Sequence, residues 1–158
     1  AVGCNDIGVV WPGVLDAWVT QHANLWPRYL NQRRARGLPS HRRIVSVLGA
    51  RNEARLSPAV TDFTEHRFPG QQSSGTSGLF ALKVALIDLG FDRAVLCGVP
   101  MQARAGHLRD AQAPWRGEHA HRPGWVEAYP QIKDRARSMS GYTRDLLGPP
   151  TAGWIAGR

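Results

Sequence analysis

The chain has 158 residues, a net charge of +8 and a pI of about 10.7. That length is one domain with room for a real core, and no apolar run is long enough to span a membrane. Two cysteines exclude a disulfide framework and no Cys/His cluster has zinc-ligand spacing, so both are read as buried free thiols of a reducing, cytoplasmic compartment.

The chain opens without Met and without a signal peptide, almost inside a strand that ends at Val2–Cys4. An upstream strand and loop are therefore expected to be missing. Asn5 and Asp6 follow at the strand's carboxyl edge, where open α/β sheets bind ligands. Trp11-Pro12-Gly13 marks a turn. LDAWVT (Leu15–Thr20) is a second strand, followed by Gln21 and His22. A neutral imidazole at His22 suits a general base. Asn24 caps a helix to about Arg36, with Pro27 tolerated in its first turn and Gly37 ending it. Arg43–Leu48 is a third strand. Residues 50–72 are polar and irregular, with a short strand near Val60–Phe63.

The most informative stretch comes next. Ser73-Ser74-Gly75-Thr76-Ser77-Gly78 is a small-residue loop, LFALKVALIDL (Leu79–Leu89) a helix apolar nearly all round, and Gly90 its stop. The non-alternating run Ala94–Val99 is a strand covered on both faces. Small residues let backbone approach a ligand, and a helix starting there points free N–H groups at it, which is how α/β proteins hold phosphates. No P-loop lysine and no G-x-G-x-x-G accompany the loop.

From Pro100 to Pro123 the chain reads as a long polar loop. His119-x-His121 beside Glu118 lacks a third ligand, so no metal site is assigned. Arg104, Arg109, Arg116 and Arg122 on that loop are placed to clamp phosphates. Pro123-Gly124 leads into a helix, Trp125 to about Arg135. A strand at Arg137–Met139 precedes Ser140-Gly141, a second helix start at the same sheet edge, and a last helical turn, Tyr142–Leu147. Residues 1–148 form one domain and 149–158 an irregular tail. Strands alternating with helices give an α/β fold with a mostly parallel sheet.

The basic residues are arginines apart from Lys83 and Lys133, and Arg33, Arg34, Arg36, Arg42, Arg43, Arg51 and Arg55 cluster in sequence. Arginine is the better bidentate phosphate binder, so a polyanion such as nucleic acid, or a phosphorylated substrate, is an expected partner.

GCND near the start and SSGTSGLFALKVALIDLGFDRAVLCGVPM resemble the Rossmann-like group of bacterial sialyltransferases and 6-hydroxymethylpterin diphosphokinase-like proteins. Uncharacterised phage and prophage proteins are also similar. Ser74-Gly75 or Ser77-Gly78 fills the small-residue turn of that pattern, and Ala85, Gly90-Phe91, Leu96 and Gly98 the frame behind it. The group's G-x-G-P-S loop is absent, and Pro100 stands where it usually carries an acidic residue. The resemblance implies an open Rossmann-like sheet with helices on both faces, lacking its first strand. It implies nucleotide contact at Asn5 and a loop histidine, His119 or His121, as base; with these, the strand edge and the two helix starts read above make Asp6, Ser74, Gly75, Thr76, Ser77, Gly78, Gly98, Ser140 and Gly141 the expected nucleotide and phosphate contacts. A nucleotide-sugar-dependent glycosyltransferase is the leading expectation, with no certain cofactor beyond that substrate. A diphosphokinase-like phosphoryl transferase and a non-enzymatic, nucleic-acid-associated module are the alternatives.

Overall fold

The computed structural model describes residues 1–51, 58–102 and 117–157, and the backbone of 106–107 and 110–114. Four strands, β1 (Val2–Cys4), β2 (Ala17–Thr20), β3 (Ile44–Val47) and β4 (Asp62–Thr64), form a parallel sheet in that order. Parallel neighbours need crossover connections. The first carries a one-turn helix, α1 (Ile7–Val10), and the second carries α2 (Trp26–Ala35).

The side-chain alternation of β2 shows how the layers stack. Trp18 faces α1 and α2 and packs with Val9, Trp26, Tyr29 and Ile44. Ala17 and Val19 face the other way, onto Phe80 and Val84 of α3 (Ser77–Lys83, continued by a π turn, Val84–Asp88). Helices therefore cover both faces, and all four residues of β2 are buried, as expected for a parallel sheet. The Trp18 indole crosses Trp26 edge-on at 5.0 Å and donates from Nε1 to Asn5 O at 2.8 Å. Gly8 of α1 lies against that indole, and any Cβ there would overlap the ring.

After β4 the chain returns across the sheet, so that α3 rests on β1 and β2 and reaches β5 (Ala94–Leu96). Gly90 takes a φ of +70°, the left-handed stop that its sequence position predicts. The π turn has a chemical reason. The wider i→i+5 turn, closed by Leu89 N–H to Val84 O at 2.9 Å, brings Asp88 beside Lys83. The buried Lys83 ammonium donates to both Asp88 oxygens, at 2.7 and 3.0 Å, and to Thr64 Oγ1 at 2.7 Å. The two charges that interrupt this apolar helix in sequence are each other's partners.

β5 pairs in parallel with β8 (Ala136–Ser138). The sequence places these strands in one sheet with β1–β3. Among the described residues they form a separate pair, tied to the first sheet through α3 rather than by ladder hydrogen bonds. A second core joins Leu79, Leu82 and Leu86 of α3 to Leu96, Trp125, Ile132 and Leu147.

The region between β5 and β8 departs from expectation. The backbone of 106–107 (β6) and 110–114 (β7) pairs antiparallel, and α4 runs Glu118–Ile132 through Pro123 and Pro130. The sequence starts this helix at Trp125. Burial of Trp125, Ala128 and Ile132 on one stripe outweighs the amide bonds the two prolines remove. His119 and His121 therefore stand on a helix, not in a loop. Beyond α5 (Gly141–Leu147), the tail expected to be irregular carries a one-turn helix, α6 (Ala152–Ile155), capped by Thr151. Its Trp154 ring lies under the guanidinium groups of Arg93 and Arg137, at 5.4 and 4.9 Å.

Candidate functional site at the carboxyl edge

Several chain segments converge where β1, β2 and β5 end. Asn5 leaves β1 at a φ of +50°, a left-handed conformation that asparagine tolerates. Thr20 Oγ1 donates to Asn5 Oδ1 at 2.8 Å and accepts the His22 amide at 3.1 Å. Next to Thr20, the Gln21 amide donates to Ser77 Oγ at 3.5 Å, joining the end of β2 to the start of α3. One residue on, a Cβ at Gly78 would come within 2.5 Å of Val99 Cγ1, so glycine lets α3 close on the segment after β5. The Val99 carbonyl accepts from Thr143 Oγ1 at 2.5 Å, and Thr143 also meets Ser138 Oγ at 2.8 Å. Gly141, at a φ of +66°, lies against the Pro100 carbonyl, which any Cβ would overlap. The edges that follow β1, β2, β5 and β8 are thus stitched into one rim, with the amino end of α3 inside it.

The structure brings Asn5, Asp6, Thr76, Ser77, Gly78, Ser140 and Gly141 onto this rim. His22 follows β2 there and is exposed. Gly98 is exposed, at a φ of +73°, one residue before Val99. Ser74 and Gly75 lie beneath α4, whose Gly124 is so close that a Cβ would sit 2.7 Å from Gly75 N and Ser74 O. His119 is 81% exposed with Nε2 3.6 Å from Glu118 Oε1, while His121 is half-buried on the same first turn. Arg104, Arg109 and Arg116 lie outside the described residues. Among the described residues no three His, Cys, Asp or Glu side chains gather as metal ligands.

The small-residue loop already holds an anion, and it is internal. Glu127 of α4 accepts from Gln72 N at 2.7 Å, Ser73 N at 2.8 Å and Ser73 Oγ at 2.5 Å. These bonds, the Ser73 hydroxyl foremost, hold its carboxyl below the usual range. What stays uncommitted lies further along. Asp6 Oδ1, Gln21 Nε2 and Thr76 Oγ1 are shut from solvent and make no hydrogen bond among the described residues. So are Glu118 Oε2 and Arg122 Nε on α4. Asp6 also helps raise the Tyr29 hydroxyl's pKa, second to burial. Burial pushes the Cys4 thiol up to about 11, with Asp6 adding to it. Cys97, expected in the core, is exposed.

The arginine cluster is not a uniform basic face. Arg33 is buried and donates to four carbonyls: Pro39 at 2.7 Å, Gly8 and Trp11 at 2.8 Å, and Gly13 at 2.9 Å. Arg42 pairs with Asp16 at 2.9 Å. Outside the cluster, Arg135 closes the end of α3 through the carbonyls of Leu86, Phe91 and Asp92. Arg33 and Arg135 are committed to the fold; Arg34, Arg36, Arg43, Arg51 and the paired Arg42 are exposed, and Arg55 lies outside the described residues.

Sequence reasoning overlooked Gln21 and Glu127. Glu118 entered it only beside the histidines, and Arg122 only as one clamp among four. The Glu118–Arg122 spacing of four is a helical signal, hidden by starting the helix after Pro123.

A groove of about 560 Å³ lies elsewhere, beside β4, between Leu48, Phe63, Thr64, Lys83 and Ile87. It contains none of the rim residues, and the rim's uncommitted polar atoms make the rim the stronger candidate.

Fold and rim together define an open, parallel, Rossmann-like α/β domain. Among the described residues no helix is long and apolar enough to cross a membrane. No protein-family model, curated protein or solved structure matches the chain.

Proposed function

We propose that the chain binds a nucleotide-type, phosphorylated ligand at the rim beyond β1, β2 and β5, and uses it as the donor in a group transfer. The observation that carries this is the set of three solvent-shut, unpaired polar atoms on stitched segments: Asp6 Oδ1, Gln21 Nε2 and Thr76 Oγ1. Buried polar atoms are nearly always paired, so such a set on one rim asks for a partner. Its chemistry suits a nucleotide. A carboxylate oxygen accepts ribose hydroxyls, an amide and a hydroxyl donate to phosphate, and the first amides of α3 have no intrahelical acceptor. The rim also lies beyond the carboxyl ends of parallel strands, the side on which open α/β sheets bind ligands.

Glycosyl transfer from a nucleotide sugar is the reaction favoured by the resemblance to the sialyltransferase-like group. It needs a base for the acceptor hydroxyl, and His22, His119 and His121 are the candidates. Changing the right one to Ala should lower nucleotide-sugar turnover about 10²-fold while donor binding survives.

Binding is tested by titrating UDP, CMP and ADP into the labelled protein. The amides of Thr76, Ser77 and Gly78 should shift. Those of Gln72 and Ser73, held by Glu127, should move less. A saturable nucleotide that shifts other regions and leaves Thr76–Gly78 in place would refute the site, and no binding by any of the three would refute the ligand class.

A further inference from the structure

We propose that Glu118 and Arg122, on the first two turns of α4, form the second wall of this ligand site, Arg122 receiving an anionic group and Glu118 a hydroxyl. The inference rests on the nucleotide reading above and adds two residues to it. Glu118 is 5% exposed, and its Oε2 has no partner among the described residues. Arg122 lies 4.4 Å over the Tyr142 ring and, among the described residues, makes one long bond, from Nη2 to Met101 O at 3.3 Å, with its Nε shut from solvent and unpaired there. Met101 and Tyr142 follow the two ends of the rim already joined at Pro100 and Gly141, so the guanidinium belongs to the same rim.

Two opposite charges one helical turn apart ordinarily close on each other. Here they do not. The ion-pair neighbour of Glu118 among the described residues is His119, at 3.6 Å, not Arg122. A buried carboxylate oxygen and a buried guanidinium N–H, each uncommitted, are costly to leave so. One molecule with a hydroxyl donor and an anionic acceptor satisfies both at once. The Tyr142 ring beneath the guanidinium steadies it by a cation–π contact, and the guanidinium fork suits bidentate recognition of phosphate better than a point charge does. A phosphorylated sugar or nucleotide has this pair of groups.

The test uses the full chain and whichever of UDP, CMP and ADP binds, with the 2′,3′-dideoxy form of the same nucleotide. Calorimetry should show Arg122→Gln weakening the nucleotide about tenfold or more, the size of one charge-assisted hydrogen bond, and Arg122→Lys falling between. Glu118→Gln should weaken the nucleotide and leave the dideoxy form unchanged. In the unmodified protein the Arg122 Nε–H resonance should shift on saturation, a readout that needs no variant to fold. If the Nε–H signal stays in place and both substitutions bind as the parent does, while Thr76–Gly78 still respond, this wall is absent and the nucleotide reading stands. If the parent binds no nucleotide, the reading and the wall fall together.

Discussion

Replacing Arg33 by Met should cost about 3–5 kcal/mol of folding free energy. The side chain is 3% exposed, and its fork supplies donors to the carbonyls of Gly8, Trp11, Gly13 and Pro39, all between 2.7 and 2.9 Å. It therefore ties α2 to the turn after α1 and to the chain entering β3. Each hydrogen bond to a charged donor is worth about 1.5–3 kcal/mol net, and a buried carbonyl left without a partner costs about 1–3 kcal/mol. The simple total overstates the loss. The Gly8 carbonyl also receives His41 Nε2 at 2.8 Å, and burying the guanidinium has its own desolvation cost, which pulls its pKa down. The net estimate is a large share of the roughly 5–15 kcal/mol that holds a domain together. At about 2–4 °C per kcal/mol for this size, the midpoint should fall by about 10 °C. Urea titration followed by circular dichroism measures the first quantity and a thermal melt the second. The exposed neighbours Arg34 and Arg36, changed to Met, should stay within about 0.5 kcal/mol of the parent. A loss below about 1 kcal/mol at Arg33, or equal losses at all three sites, would refute the assignment of Arg33 to the fold.

His41 gives a pH dependence. Its Nδ1 accepts from Leu15 N at 3.1 Å and its Nε2–H donates to Gly8 O, so the fold needs the neutral ring, and burial lowers its pKa. The unfolded chain then binds the proton first, so stability should fall as pH drops through about 6.5 towards the lowered folded value. His41→Gln should flatten that slope in urea melts, and an unchanged slope would remove His41 as its cause. Gly124→Ala should cost about 1–3 kcal/mol, because its Cβ meets loop backbone that cannot swing aside. The Ser74 and Gly75 amides should shift in the same variant; if the fold is equally stable and those amides are unmoved, α4 does not press on the loop. Iodoacetamide at pH 8 should label Cys97 and spare Cys4, whose thiol is raised to about 11. Equal labelling by mass spectrometry would contradict that.

What the residues determine alone is local. The near-continuous apolar surface of Leu79–Leu89 specifies a helix buried on more than one side, and Gly90 marks its stop because a left-handed turn suits glycine; the apolar run Ala94–Val99, read as a strand covered on both faces, is a strand only over Ala94–Leu96 and leaves Val95 exposed. Those signals need only neighbours along the chain, and they suffice for the α/β class and for the strand ends that make the rim. The tertiary structure decided what the sequence leaves open: that α4 runs through two prolines because Trp125, Ala128 and Ile132 are buried, that β5 and β8 pair apart from β1–β4, and that Arg33 serves four carbonyls rather than a polyanion. It also decided that Glu127 occupies the loop amides while Asp6, Gln21, Thr76, Glu118 and Arg122 keep uncommitted atoms. Whether a polar atom is spent or left over depends on partners far along the chain, such as the 54 residues that separate Ser73 from Glu127, and no local pattern encodes that distance.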